Sequence, residues 1–199
     1  GAGLRSMAFS ASNANVIYLG TAGTGVYRSA NAGATWSGAG LNGYLVYSLA
    51  VDAANANHVY AAINSSASVR ESWDGGATWS SSGLANVAAV SVAAAGDDSQ
   101  IAYAGGAGFY RRSSAGVWSA AGLNGVSLTA VGVSPFNHNL VLAGGGGTLY
   151  ISTDGAESWH VFSALFSGVG IQSISFDAND PRTAYIGTTS RATARVSLP

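Results

Sequence analysis

Apolar and polar residues alternate along short runs that return five times in the chain. These runs are Ser6-Met7-Ala8-Phe9, Ser48-Leu49-Ala50-Val51, Ala89-Val90-Ser91-Val92, Ala130-Val131-Gly132-Val133 and Ser173-Ile174-Ser175-Phe176. A period of two predicts strands with two unlike faces. A turn-rich link follows each run, at Ser12–Asn15, Asp52–Asn57, Ala95–Ser99, Pro135–Asn139 and Asp177–Pro181. A second strand is predicted next, over Val16–Leu19, Val59–Ala62, Ile101–Ala104, Leu140–Ala143 and Ala184–Gly187. Gly/Ser/Thr links then lead to third strands over Gly25–Ser29, Ser68–Ser72, Gly108–Arg112, Thr148–Ser152 and Ala194–Ser197. No segment carries a 3.6-residue apolar period, so no helix is predicted.

After the third strand comes a recurring turn, here called the box. It reads Ser29-Ala30-Asn31-Ala32-Gly33-Ala34-Thr35-Trp36 first, then Ser72-Trp73-Asp74-Gly75-Gly76-Ala77-Thr78-Trp79, then Ser152-Thr153-Asp154-Gly155-Ala156-Glu157-Ser158-Trp159. A worn copy between Tyr110 and Trp118 is one residue shorter and has no acid. The box tryptophans Trp36, Trp79, Trp118 and Trp159 lie 43, 39 and 41 residues apart. A fixed period of this size signals a repeat architecture. Each box leads to a fourth strand that begins at its tryptophan. Four short antiparallel strands per repeat of about 40 residues predict the blades of a β-propeller. One blade cannot bury both of its faces, and stacking around an axis covers them.

The expected architecture is all-β, a single domain over residues 1–199 with repeats at about 4–41, 42–84, 85–123, 124–165 and 166–199. The strand count is uneven: five first, second and third strands, but only four tryptophan strands. The last blade is therefore expected to lack its fourth strand. Three arrangements fit this count: a five-bladed ring with one three-stranded blade, a piece of a longer propeller, or an open edge filled by another chain. Unpaired edges recruit partners, so self-association through the last blade is one expectation.

Composition narrows the function classes. Apolar residues make up 48% and charged residues 9%, which excludes a disordered chain. All eight basic residues are arginine and form no run, so no nucleic-acid footprint is expected. No apolar stretch has membrane-spanning length, and none of the sequence reads as a signal peptide. A chain opening at Gly1 reads as a processed or excised segment. The absence of cysteine removes disulfides and thiolate metal sites.

The pattern Ser-x-Asp-x-Gly-x-Thr-Trp resembles the Asp-box, or BNR repeat. That repeat recurs in sialidases, xyloglucan-active glycosidases, sortilin-type receptors and photosystem assembly propellers. The resemblance implies a β-propeller and is unspecific for activity. The residues themselves read structurally. Asp and Asn accept hydrogen bonds from the turn's own amides, Gly33 and Gly76 open backbone angles closed to other residues, and the indole fills the space between blades. The set Ser29, Asn31, Gly33, Trp36, Ser72, Asp74, Gly76, Trp79, Trp118, Ser152, Asp154 and Trp159 is accordingly assigned to architecture. The departures agree: Asn31 replaces the acid in the first box and Ala156 the glycine in the last.

Blade topology places first-to-second and third-to-fourth links on one face, the box face, and the remaining links on the other. All nine carboxylates fall on the box side by this reckoning, and Arg191 is the clear charge of the opposite face. Enzymes that the repeat resembles carry their active sites on that opposite face. Glycoside hydrolysis needs two carboxyl groups across the scissile bond, and sialidase chemistry would need clustered arginines with a tyrosine nucleophile. Neither constellation is present, so no catalytic residue is assigned. His58, His138 and His160 read as surface histidines and not as metal ligands, and no cofactor is expected. Arg111-Arg112 reads as a solvated strand end. Gly144–Gly147 lacks the lysine and helix of a phosphate cradle. Tyr44, Asn42, Asn64, Asn124 and Phe166 near the acid-free face, with Trp73 beside the second box, are the candidate ligand contacts. Packing at the funnel mouth is the competing reading for the first group, and filler beside its link for Trp73. The function expected is a non-catalytic binding or assembly scaffold, secreted or on a bacterial surface, with a protein partner or a glycan. A lectin with a site per blade and a fragment of a larger glycoside hydrolase are the alternatives.

Overall fold

Short alternating runs pair into small antiparallel sheets because each is only long enough to cover one blade. The computed structural model describes residues 3–66, 68–84, 86–98, 100–163, 166, 169–190 and 193–199. Blade 1 holds β1 (Leu4–Phe9), β2 (Ile17–Thr21), β3 (Val26–Ser29) and β4 (Ser37–Gly38) in spatial order. Blade 2 holds β5 (Val46–Val51), β6 (Val59–Ile63), β7 (Val69–Ser72) and β8 (Ser80–Ser81). Blade 3 holds β9 (Ser91–Ala94), β10 (Ala102–Gly106), β11 (Gly108–Arg112) and β12 (Trp118–Ala120). Blade 4 holds β13 (Ala130–Val133), β14 (Val141–Gly145), β15 (Thr148–Ser152) and β16 (His160–Ser163). Blade 5 has three strands, β17 (Ile171–Phe176), β18 (Thr183–Thr188) and β19 (Ala194–Ser197). The protein is a five-bladed β-propeller without helices among the described residues.

Two boundaries differ from expectation. β9 starts two residues later than the alternation suggests, because Val90 uses its amide on Gly105 ahead of the regular ladder. The box tryptophan precedes the fourth strand by one residue in blades 1, 2 and 4, and opens it only in blade 3, where the turn is shorter.

The innermost strands of all five blades line one axial cavity of about 380 Å³. Apolar clusters join blade 1 to 2, 2 to 3, 3 to 4 and 4 to 5. Among the described residues no such cluster joins blade 5 to blade 1. Leu4, Met7 and Phe9 on the outer face of blade 1 are exposed. Three of the four joints interlock knobs with notches: a Cβ on Gly20 would meet Val46, one on Gly105 would meet Val131, and one on Gly144 would meet Ile171. Close approach of neighbouring sheets requires the missing side chain at these points.

Candidate functional site

The box turns are built on a serine–acid–threonine lattice. In the second box the Ser72 hydroxyl donates to Asp74 Oδ1 at 2.8 Å and accepts from the Gly76 amide at 2.8 Å. Asp74 Oδ1 also accepts the Thr78 amide, and Oδ2 accepts the Thr78 hydroxyl at 2.6 Å. The fourth box repeats this with Ser152, Asp154, Ala156 and Ser158. In the first, Asn31 Oδ1 takes the Thr35 amide at 2.8 Å while its Nδ2 donates to Thr35 Oγ1. The worn third box keeps a small turn at Ser113–Val117, closed by backbone bonds and by the Val117 amide donating to the Ser113 hydroxyl at 3.4 Å. Hydroxyl and amide donors hold the Asp74 and Asp154 carboxyls down at about 2. Their oxygens already carry donors from their own turn, so they are poor candidates for accepting a substrate proton.

Two box tryptophans bind the preceding blade. Trp79 Nε1 donates to the Ala39 carbonyl and Trp159 Nε1 to the Ala121 carbonyl, each at 2.8 Å. Trp118 packs against the cluster between blades 2 and 3, but its indole N–H finds no acceptor among the described residues. Trp36 stays 38% exposed. At Gly76 (φ 92°) a Cβ would stand 2.8 Å from Ala39, so the turn needs glycine to reach the neighbouring blade. Gly33 (φ 89°) shares the left-handed backbone without that crowding.

Two expectations fail here. His58 is not a surface histidine: it is fully buried, with Nδ1 2.7 Å from Asp52 and Nε2 2.8 Å from Glu71. Arg112 is not a solvated strand end: it donates to Glu71 at 2.9 Å and to the Gln100 carbonyl at 2.8 Å. The four side chains make a buried network between blades 2 and 3. Each imidazole nitrogen faces a carboxylate oxygen and the Arg112 guanidinium completes the pairing of Glu71, so each buried carboxylate has a hydrogen-bonding partner within the network. Period and composition could not reveal this, because its bonded pairs lie six to forty-one residues apart. The available signal was that the second repeat has His58 where the others carry Val16, Ile101, Leu140 and Thr183, and the acid Glu71 where they carry Arg28, Arg111, Ile151 and Arg195.

Trp73 covers this network. Its ring stacks on the His58 ring with centroids 3.5 Å apart and planes 10° from parallel. The indole is still 53% exposed. It is therefore both filler and an open aromatic plate.

The remaining predicted contacts do not converge. Tyr44 is half-buried against the cluster between blades 1 and 2, and Phe166 is buried in the cluster between blades 4 and 5. Asn64 Oδ1 accepts the Leu45 amide at 2.7 Å, closing its own loop. Asn42 and Asn124 are exposed in separate blade links. Arg191 lies outside the described residues. His138 pairs with Asp97 across blades 3 and 4 at 3.0 Å, and His160 is exposed at the start of β16. Among the described residues, no group of three or more His, Cys, Asp or Glu is arranged to hold a metal ion.

The cavities carry little chemistry. The axial cavity opens at the C-terminal ends of the first strands, and its lining has no ionisable side chain. A second, of about 290 Å³ on the opposite face between blades 3 and 4, is lined by Ala, Val, Gly, Ser, Leu and Thr alone. A third, of about 370 Å³ on the box side, has Arg111 and one acid, Glu157. Burial raises the hydroxyl pKa of Tyr18 and Tyr60, and pushes that of Tyr103 up to about 12. None of these three is disposed to form a tyrosinate nucleophile.

No family model matches the chain, and no curated relative does. Solved structures share its fold. The GH74 xyloglucanase of Xanthomonas campestris matches with 18% identity and a TM-score of 0.74, over 96% of this chain and 36% of its own. An ancestral GH74 enzyme matches with 19% identity and a TM-score of 0.75, over 98% of this chain and 31% of its own. YCF48 bound to D1 peptide aligns at 14% identity and a TM-score of 0.48, over 100% and 94% of the two chains. The chain spans about a third of the length of the GH74 enzymes it matches. At such identities the likeness concerns the fold, and fold alone does not carry activity.

Proposed function

We propose that the chain is a non-catalytic β-propeller acting as a binding or assembly scaffold, exported or displayed on a bacterial surface. The observation that carries this reading is an axial cavity whose lining holds no titratable group. Five of the acids sit elsewhere and are occupied. Asp52 and Asp177 cap their own links, Asp74 and Asp154 brace their boxes, and Glu71 bonds His58 and Arg112. Glycoside hydrolysis needs a pair of carboxyl groups on opposite sides of one bond, about 5 to 10 Å apart, and none of the cavities described offers such a pair. The purified chain should leave aryl glycosides and xyloglucan intact. Turnover that a single aspartate substitution abolishes would sink the proposal.

A lectin reading has one observation of its own, the exposed Trp73 plate held flat on His58. Rigid indole faces stack on the apolar faces of sugars. A glycan array separates the two readings: a lectin gives a signal that Trp73→Ala removes. The fragment reading rests on the partial coverage of GH74 enzymes, and further repeats in the parent sequence would favour it.

A further inference from the structure

We propose that the outer faces of blades 1 and 5 are two halves of one interface, and that a second copy of this chain completes it by seating its blade 5 on blade 1 of the first. The joints inside the ring show what each half must carry. On the leading side of a joint, Tyr18 donates to the Ala56 carbonyl and Tyr103 to the His138 carbonyl of the next blade, each at 2.8 Å. Arg28, paired in register with Tyr18, donates to Tyr18 and to Asn57 of the next blade. Glycine notches accompany them, as at Gly20 and Gly144. On the following side stand a knob, Val46 or Ile171, and an exposed link carbonyl beside an asparagine.

Blade 5 bears the leading set with no blade packed against it among the described residues. Tyr185 pairs in register with Arg195 and both are exposed; the Tyr185 hydroxyl donates to Asp177 at 3.2 Å and Arg195 to Thr183 at 3.0 Å, partners within blade 5 itself, and the atoms nearest a Cβ on Gly187 belong to Ser173 of the same blade. Blade 1 bears the following set. Leu4 sits at the register of Val46 and Ile171, just before the same irregularity in pairing, yet is 64% exposed where those two are buried. Asn13-Ala14-Asn15 repeats Asn55-Ala56-Asn57, so the Ala14 carbonyl and Asn15 side chain stand where Tyr18 and Arg28 find their partners on blade 2. Met7 and Phe9 extend the apolar surface along the same edge. One half is small, polar and notched; the other is apolar and knobbed. Continuity with the four existing joints identifies the occupant as a blade of this kind, and blade 5 of another copy is one. Trp36 stays at the rim of this joint, because blade 5 has no fourth strand to accept its N–H.

The contact is head-to-tail, so each copy keeps one half free to receive another and the assembly grows with concentration. This gives the scaffold reading a partner, and it fails separately from that reading: a monomer with no hydrolytic activity refutes only the joint. The test is sedimentation velocity of the full chain over a concentration series. Mass should rise above the 19.8 kDa monomer with concentration. Leu4→Asp and Tyr185→Asp should each hold it at the monomer, and both positions are exposed, so each variant folds. A one-to-one mixture of the two variants retains one competent joint and should give particles of twice the monomer mass and no larger. A monomer at every concentration, growth that survives either substitution, or a mixture that stays monomeric would overturn the proposal.

Discussion

Replacing Glu71 by alanine tests the buried network directly. The wild-type carboxylate accepts from His58 at 2.8 Å and from Arg112 at 2.9 Å, and the three residues are at most 7% exposed. The substitution removes one negative charge and leaves a guanidinium and an imidazole facing the space it occupied. Breaking one side of a buried ion pair costs about 3–5 kcal/mol, because the remaining charge keeps its desolvation penalty. For a chain of this size each kcal/mol moves the melting temperature by about 2–4 °C, so Glu71→Ala should lower it by roughly 6–20 °C. Thermal melts followed by circular dichroism supply the measurement. The control is the quadruple variant Asp52→Asn, His58→Leu, Glu71→Met, Arg112→Leu. It removes the charges together and keeps an amide oxygen at position 52 to accept the Ala54 and Asn55 amides. It should recover most of the loss, since apolar replacement of a whole buried ionic cluster is often neutral. A Glu71→Ala melt within about 2 °C of wild type, or a quadruple variant worse than the single, would refute the account of this network as mutually compensating groups.

Other expectations follow from single contacts. Trp79→Phe should cost about 1 kcal/mol more than Trp36→Phe, since only Trp79 bonds a neighbouring blade; equal losses in urea titrations would count against this. Ala156 holds φ at 72° where the second box has Gly76, so Ala156→Gly should raise stability by about 1 kcal/mol, read as a higher urea midpoint. Gly76→Ala should instead lower it, as its new methyl meets Ala39. The Asp74 and Asp154 carboxyls lie at about 2, below the ordinary 3.8. Their contribution is therefore complete above about pH 4 and fades as acid approaches pH 2. The double variant Asp74→Asn, Asp154→Asn, which copies the natural Asn31 of the first box, should flatten the acid limb of the stability curve between those values; an unchanged limb would show that the box acids do not set it.

The alternation of Ser6–Phe9, Ser48–Val51 and their later copies was enough for strands, and the tryptophan spacing was enough for blades, because both are local or periodic signals. The box chemistry was equally legible, since Ser72, Asp74 and Thr78 meet within one turn. Three things were decided only by the tertiary structure. His58 and Arg112 read as surface residues in sequence and are buried, because Asp52 and Glu71 bracket His58 within blade 2 and the stacking of blade 3 brings Arg112 to Glu71 across forty-one residues. Tyr44 and Phe166 read in sequence either as ligand contacts or as packing at the funnel mouth, and their places against the inter-blade clusters came only from the arrangement of blades. Leu4 and Val46 occupy equal places in the pattern, yet one is exposed and the other buried. A repeat specifies what each blade offers its neighbours, while only the arrangement in space determines which blade has a neighbour to accept it.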